Sequence, residues 1–325
     1  MSTTETSTEF AQFELGPALQ RGIAEAGFTS PRPIQSQAIP DALAGRDVLG
    51  LAQTGTGKTA AFALPILERL LSGRGNGDPR ALILAPTREL ANQIDVEIRT
   101  LARFTRVKTV TIYGGMSIQK QVNQLRRGTD IVIACPGRLL DLLNRGALHL
   151  KAVETLVLDE ADHMFDMGFL PDIKRILKAL PAERQNLLFS ATMPKEIRGL
   201  ADNLLTDPLV VELANTMPAE TIEHALYPVA EKRKLDLLKY LIDQADFNSA
   251  IVFTRTKHRA KRLAEQLDKA GHRAVALQGN MSQAQRDRAM EGFRRGRSDI
   301  LVATDIAARG IDVANISHVV NFDVP

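Results

Sequence analysis

Cysteine, tryptophan and an excess of either charge are scarce in this 325-residue sequence. Its one cysteine, Cys135, cannot form an internal disulfide or complete a four-ligand zinc site, which argues against a secreted disulfide scaffold and a zinc finger. With 41 basic and 38 acidic residues, the net charge is only +3, so bulk charge does not predict polyanion binding. The N-terminal residues MSTTETSTEF form no signal peptide, and no apolar run reaches the roughly eighteen residues of a membrane span. These absences predict a cytoplasmic protein without a membrane partner.

Length and hydrophobic pattern predict two α/β domains. A chain of 325 residues exceeds the usual length of one domain. Short apolar runs alternate with segments of helical period, first up to a polar stretch flanked by Pro208 and Pro218 and then again after it. Continuous apolar strands indicate mainly parallel sheets with helices on both faces, the doubly wound arrangement, and two such domains imply a cleft. The predicted boundaries are a flexible tail at 1–9, a first domain at 10–208, a linker at 209–220 and a second domain at 221–325.

A glycine-rich segment, AQTGTGKT at Ala52–Thr59, follows a predicted strand and opens a predicted helix. Gly55 and Gly57 allow backbone amides to turn toward a phosphate, and the helix N-terminus adds a positive dipole end. Lys58 supplies a charge for the outer phosphates, and the hydroxyl of Thr59 can ligate Mg²⁺. An ordinary glycine-rich turn is the alternative, but Gly-Lys-Thr at such a junction favours a phosphate-binding loop.

A second segment, LVLDEAD at Leu156–Asp162, is an apolar strand that ends in acids. Carboxylates at the carboxyl end of a parallel strand face the crevice where ligands bind. Beside a phosphate-binding loop, Asp159 is predicted to hold Mg²⁺ and Glu160 to orient and deprotonate an attacking water. Without that loop, the same acids would be read as a helix cap or a solvated turn.

The order of five motifs resembles the DEAD-box ATP-dependent RNA helicases. Those motifs are AQTGTGKT, PTREL at Pro86–Leu90, DEAD at Asp159–Asp162, SAT at Ser190–Thr192 and ARGID at Ala308–Asp312. The resemblance runs from about Phe13 to the end of the chain and implies two tandem RecA-like domains. The phrases RTKHRAKRL and FSATMPKEI favour the bacterial RhlE-type subgroup.

The resemblance implies ATP and Mg²⁺ as ligands and assigns roles to single residues. The segment GFTSPRPIQ resembles the family's Q motif, so Phe28 would pack on adenine and Gln35 would pair with its polar edge. Lys58, Asp159 and Glu160 would be catalytic, Thr59 and Asp159 would hold the metal, and Asp162, Ser190 and Thr192 would couple nucleotide state to RNA grip. The implied ATP contacts are Phe28, Gln35, Gln53, Thr54, Gly55, Thr56, Gly57, Lys58, Thr59, Gly310 and Asp312.

RNA is the partner that the resemblance implies, held by its backbone as a single strand or short duplex. The implied contacts are Pro86, Thr87, Arg88, Gly115, Gly137, Arg138, Gly279, Gln283, Arg286 and Thr304. Helix starts, glycine turns and arginines can hold phosphates without reading bases. With 5% aromatic residues and no tryptophan, the chain lacks repeated stacking platforms, so sequence specificity is not expected.

The sequence departs from the family pattern at two places. Cys135 stands where the family usually has threonine, which puts one hydroxyl contact to RNA in doubt. The sequence ends at NFDVP, before the family's arginine-rich motif VI, so the second domain is expected to be truncated and hydrolysis to be impaired. An ATP-dependent RNA clamp or annealing scaffold is the alternative function, and a DNA translocase on the same core is a further rival; Glu160 favours an enzyme over a clamp.

Overall fold

The computed structural model describes residues 9–53, 55–73, 75, 77–213, 222–244, 247–304, 313 and 316–324, except for the side chain of Gln283. The chain divides into two compact units, Met1–Met217 and Pro218–Pro325. No helix among these residues is long and apolar enough to cross a bilayer.

The first unit begins with a 3-10 helix at Glu9–Phe13 and continues as alternating helices and strands. Its helices are α1 (Pro17–Glu25), α2 (Pro33–Leu43), α3 (Lys58–Leu71), α4 (Arg88–Leu101), α5 (Ile118–Leu125), α6 (Pro136–Asn144), α7 (Ala161–Asp166), α8 (Leu170–Leu177) and α9 (Lys195–Leu204). Its strands are β1 (Val48–Leu51), β2 (Ala81–Leu84), β3 (Thr109–Ile112), β4 (Ile131–Ala134), β5 (Thr155–Leu158), β6 (Gln185–Ser190) and β7 (Leu209–Glu212). They form one parallel sheet in the order β3-β4-β2-β5-β6-β1-β7.

The second unit repeats the plan in the part that the structure describes. After a 3-10 helix at Glu231–Arg233 come α10 (Lys234–Ile242), β8 (Ala250–Phe253), α11 (Lys257–Lys269), β9 (Ala274–Leu277), α12 (Gln283–Arg294), β10 (Ile300–Ala303) and β11 (His318–Asn321). The strands are parallel and lie in the order β11-β8-β10-β9.

Both sheets bury apolar side chains on both faces, as the continuous apolar strands predict. Successive residues of β2 alternate between two clusters: Ile83 belongs to one and Leu82 and Leu84 to the other. In β10, Ile300 and Leu301 likewise enter different clusters. Burying both faces stabilises a sheet only when helices cover each of them, which confirms the doubly wound fold.

Two predicted boundaries are wrong by a few residues. Leu209–Glu212, predicted as the start of the linker, forms β7 and pairs with β1. Only Val211 of this strand is fully buried, so the strand signal was weak. At the other end, Glu9, which is predicted to lie in the flexible tail, opens the first 3-10 helix, whose Phe10 is buried in the core. Residues 1–8 and most of the remaining predicted linker lie outside the described residues.

Candidate active site

The glycine-rich loop joins β1 to α3 at the carboxyl edge of the first sheet. Gly55 and Gly57 have φ values of 81° and 92°, in the left-handed region that glycine adopts without strain. Gly57 is also the N-cap of α3, so Lys58 and Thr59 are the first residues of that helix. The loop therefore has the backbone form that presents helix-start amides to an anion. Thr54 lies outside the described residues, and the hydroxyl of Thr56 donates to the carbonyl of Gln53 at 2.8 Å.

Lys58 meets the acid of the neighbouring motif. Its buried Nζ donates to the carbonyl of Ala52 at 3.0 Å and lies 3.9 Å from Oδ1 of Asp159. Burial raises the pKa of Asp159 to about 6, a shift that the positive charge of Lys58 opposes and the charge of Glu160 increases. The two motifs, about a hundred positions apart in sequence, thus form one charged cluster at a sheet edge.

Glu160 and Asp162 are held by different contacts. Glu160 is the N-cap of α7 with φ 50° and ψ 53°, a left-handed conformation that costs roughly 1–2 kcal/mol in a residue with a Cβ. Its carboxylate is buried, and Oε2 lies 2.8 Å from Nδ1 of His163. Asp162 Oδ2 accepts from both the amide and the hydroxyl of Thr192 at 2.9 Å.

Ser190 completes this contact between the DEAD and SAT segments. Its hydroxyl accepts from the amide of Asp162 at 3.2 Å and donates to the carbonyl of Thr192 at 2.7 Å. The predicted coupling residues are therefore in direct contact, although their coupling role stays a prediction.

The Q-motif glutamine is engaged with the protein itself. Gln35 is buried; its Oε1 accepts from the amide of Arg32 at 2.8 Å, and its Nε2 donates to the carbonyl of Gly57 at 3.0 Å. The guanidinium of Arg32 also donates to the carbonyl of Gly55. Phe28 makes an edge-on contact with Phe10, with ring centroids 5.9 Å apart. The structure places the Q motif against the glycine-rich loop, with both polar atoms of Gln35 occupied.

Glu97 is a neighbour of this site that sequence reasoning missed. It lies on α4, and Thr59 and Ala60 at the start of α3 are close enough to its carboxylate to lower its pKa. Burial raises the pKa of Glu97, the bond from Thr59 lowers it, and the nearby charge of Asp159 raises it further. No local motif marks this glutamate, because it reaches the loop only through the packing of α4 on α3.

Residues predicted to hold RNA converge at one edge of the first sheet. Strands β3, β4 and β2 are neighbours, and their carboxyl ends lead into Gly115, Arg138 and Arg88, respectively. Gly115 has φ 83°, and a Cβ there would collide with the guanidinium of Arg88. Arg138 Nη1 donates to the carbonyl of Met116 at 3.0 Å. Thr87, which follows Pro86, is the N-cap of α4 and accepts from the amide of Leu90 at 3.2 Å; Gly137 lies in α6 with open space around it.

In the second unit, the predicted RNA residues follow the adjacent strands β9 and β10. Gly279 comes after β9 and has open space around it, whereas Arg286 on α12 is buried. Thr304 follows β10 and is partly buried. The side chain of Gln283 and the predicted ATP contacts Gly310 and Asp312 lie outside the described residues.

Cys135 occupies the N-cap of α6, and its amide donates to the carbonyl of Ile112 at 2.8 Å. Burial raises the pKa of its thiol to about 12. The side chain is therefore a neutral, weak donor at physiological pH.

Comparison with known families extends these observations over the whole chain. A model described as "DEAD/DEAH box helicase" matches residues 32–200, and one described as "Helicase conserved C-terminal domain" matches residues 233–325. The chain belongs to the DEAD-box helicases. The predicted family is thereby confirmed, whereas its RhlE-type subgroup stays a prediction.

Curated DEAD-box relatives match the chain from end to end. It is 46% identical to the RNA helicase CrhR of Synechocystis sp., over 100% of this chain and 66% of CrhR. It is 44% identical to the ATP-dependent RNA helicase CshA of Listeria monocytogenes, over 98% of this chain and 61% of CshA. It is also 44% identical to the ATP-dependent RNA helicase RhlB of Pseudomonas aeruginosa, over 99% of this chain and 83% of RhlB. The chain thus spans less than two thirds of the length of CrhR and CshA.

Solved DEAD-box structures share the fold. S. cerevisiae Dbp5 bound to RNA and ADP BeF3 superposes with a TM-score of 0.84 at 33% identity, over 98% of this chain and 81% of Dbp5. A DEAD box protein from Methanococcus jannaschii gives a TM-score of 0.60 at 38% identity, over 97% of this chain and 85% of that protein. These likenesses confirm two RecA-like α/β domains.

Proposed function

We propose that this chain is the core of an ATP-dependent RNA helicase that acts in the cytoplasm and couples ATP hydrolysis to local duplex unwinding. The observation that carries the proposal is the 3.9 Å approach of Lys58 to Asp159 beside a loop whose glycines take left-handed conformations. A phosphate-binding lysine and a buried acid at one sheet edge are the parts that phosphoryl transfer needs. The names of the relatives, which are RNA helicases, support the same reading.

The residues at this edge of the sheet would have separate roles in ATP hydrolysis. Lys58 and the amides at the start of α3 would hold the outer phosphates, and Glu160 would orient and deprotonate the attacking water. Mg²⁺ prefers oxygen ligands and is usually bound by only one or two protein carboxylates. The Thr59 hydroxyl and the Asp159 carboxylate fit this preference. The metal would neutralise charge on the phosphates when bound.

Adenine recognition by Gln35 requires an exchange of hydrogen bonds. Both polar atoms of its amide already bond to the backbone of Arg32 and Gly57, so pairing with adenine would replace these contacts. The amide can match adenine's neighbouring donor and acceptor, whereas guanine presents the opposite polarity at the exocyclic position. A competition assay measures how effectively each nucleotide displaces bound ATP. If GTP were as effective a competitor as ATP, this role of Gln35 would be contradicted.

RNA would be held by phosphate contacts rather than base contacts. Arg88 and Arg138 lie at one edge of the first sheet, and the second unit would contribute Gly279, Arg286 and Thr304. Asp162, bonded to Thr192, would couple RNA binding to the state of the nucleotide.

The decisive experiment is RNA-stimulated ATP hydrolysis by the parent chain, Lys58→Ala and Glu160→Gln. Loss of the lysine charge should weaken ATP binding, whereas Glu160→Gln should retain binding and lose turnover. Unchanged turnover in Glu160→Gln would refute the assignment of the base. RNA binding in the ATP state without turnover or unwinding would favour the clamp.

A further inference from the structure

The imidazole of His163 contacts the carboxylate to which the reaction assigns the role of base. Nδ1 of His163 lies 2.8 Å from Oε2 of Glu160. The Glu160 side chain is 5% exposed, whereas that of His163 is 37% exposed. One end of this pair is therefore buried at the acid cluster, and the other reaches solvent.

The local fold explains why the two side chains meet. Glu160 is the N-cap of α7 and His163 lies three residues further along, so the first helical turn brings them to the same face. The backbone of His163 is fixed as well, since its amide donates to Oδ1 of Asp162 at 3.1 Å. The backbone that carries the imidazole is therefore held by a hydrogen bond to the DEAD segment.

The contact determines where the proton of the imidazole lies. A general base must be ionised before it acts, and an ionised carboxylate can only accept hydrogen bonds. Nδ1 of His163 must then carry a hydrogen and donate it to Oε2. Such a bond restricts the rotation of a glutamate side chain whose terminal torsion is otherwise broad.

We infer that His163 is a positioning residue for Glu160: its Nδ1–H fixes the direction of the carboxylate without contacting the nucleotide. The inference rests on the proposed function, because it presupposes that Glu160 is the base. The other acids of the segment have partners within the motifs, Lys58 for Asp159 and Thr192 for Asp162. His163, which contacts Glu160, lies just outside the DEAD letters.

The test compares a substitution that keeps a donor with one that removes it. His163→Asn places an amide N–H near the position of Nδ1, whereas His163→Leu keeps similar bulk without a donor. His149→Leu, at an exposed histidine of the same unit, is the matched control. We expect His163→Leu to lower kcat for RNA-stimulated ATP hydrolysis about ten-fold, with KM for ATP and Tm close to those of the parent chain. His163→Asn should retain at least about half of the parent kcat, and His149→Leu should match the parent chain.

Unchanged kcat in His163→Leu, or equal losses in the leucine and asparagine variants, would overturn the inference. Glu160→Gln distinguishes a failure of the base assignment from a failure of the positioning role. If Glu160→Gln is inactive and His163→Leu is fully active, Glu160 is the base but His163 does not position it. If Glu160→Gln hydrolyses ATP like the parent chain, both the base assignment and the positioning role are refuted. In the Glu160→Gln background, His163→Leu should cause no further loss.

A second measurement does not depend on turnover. Nitrogen-15 NMR of the imidazole rings reports which nitrogen of His163 is protonated, and the assignment is checked by the loss of its signals in His163→Asn. A protonated Nδ1 near neutral pH supports the inference. A bare Nδ1 beside a protonated Nε2 would overturn it, whatever the rate of hydrolysis.

Discussion

At the scale of single residues, Asp159 is an acid whose charged form the fold disfavours. Burial raises its pKa from 3.8 to about 6. A raised pKa in the folded state means that ionisation opposes folding: the penalty is fully present above about pH 6 and disappears as the pH falls through the ordinary value. The acid is therefore retained at a cost in stability, in keeping with its proposed role in holding Mg²⁺.

Asp159→Asn is expected to stabilise the chain without nucleotide at pH 7.5 by on the order of 1–2 kcal/mol, because the amide removes a buried charge whose burial penalty exceeds its attraction to Lys58. The gain should shrink at pH 5. Urea unfolding at both pH values measures it, and Asp202→Asn, at an exposed acid on α9, is the control. Destabilisation at pH 7.5 would show that the pair with Lys58 outweighs burial.

Cys135 offers a second residue-scale prediction, on reactivity. Its pKa of about 12, against the ordinary 9.0, lowers the thiolate fraction at neutral pH by about a thousand-fold. Iodoacetamide at pH 8 should therefore alkylate the native chain at least about a hundred-fold more slowly than the chain in urea. Mass spectrometry reads the rate directly, since the sequence has one cysteine. Equal rates in the two states would contradict a partly buried, neutral thiol.

At the scale of elements, the glycine-rich loop depends on its contact with α2. A Cβ at Gly57 would lie 2.5 Å from Nε2 of Gln35 and 2.9 Å from Cδ of Arg32, and φ there is 92°. Gly57→Ala is expected to displace the loop and weaken ATP binding at least about ten-fold, as measured by titration with a fluorescent ATP analogue. Gly199→Ala, in α9 with open space around it, should leave binding unchanged and raise stability by about 0.5–1 kcal/mol. Parent-like binding by Gly57→Ala would show that the loop tolerates the side chain.

The same scale shows what the sequence could predict. The positions of the glycine-rich loop and the DEAD acids were predictable, because each lies in a short contiguous motif at a strand end. The bond from Gln35 to Gly57 and the approach of Glu97 to Thr59 were not, because they join segments brought together only by helix packing. Strand β7 was missed for a related reason: an edge strand with one fully buried residue carries little hydrophobic signal.

At the scale of the whole molecule, each unit has its own hydrophobic clusters. Gln35, Lys58 and the DEAD acids all belong to the first unit. A fragment of residues 1–213 is therefore expected to fold alone and to bind ATP within about ten-fold of the parent affinity. Thermal unfolding and ATP titration of this fragment provide the measurement. Failure to bind ATP, in a fragment that unfolds cooperatively, would place an essential nucleotide contact in the second unit.

Strand β7 also determines where the first unit can be truncated without exposing the edge of β1. It covers one side of β1, and β6 covers the other, so the strand that carries the glycine-rich loop has both edges paired. A fragment ending at Thr206 would leave the Val48–Leu51 edge open, with a row of unpaired amides and carbonyls able to pair with another molecule. The four residues of β7 thus keep the strand that leads into the glycine-rich loop away from the sheet edge, and their removal would expose that strand to edge-to-edge pairing with another molecule.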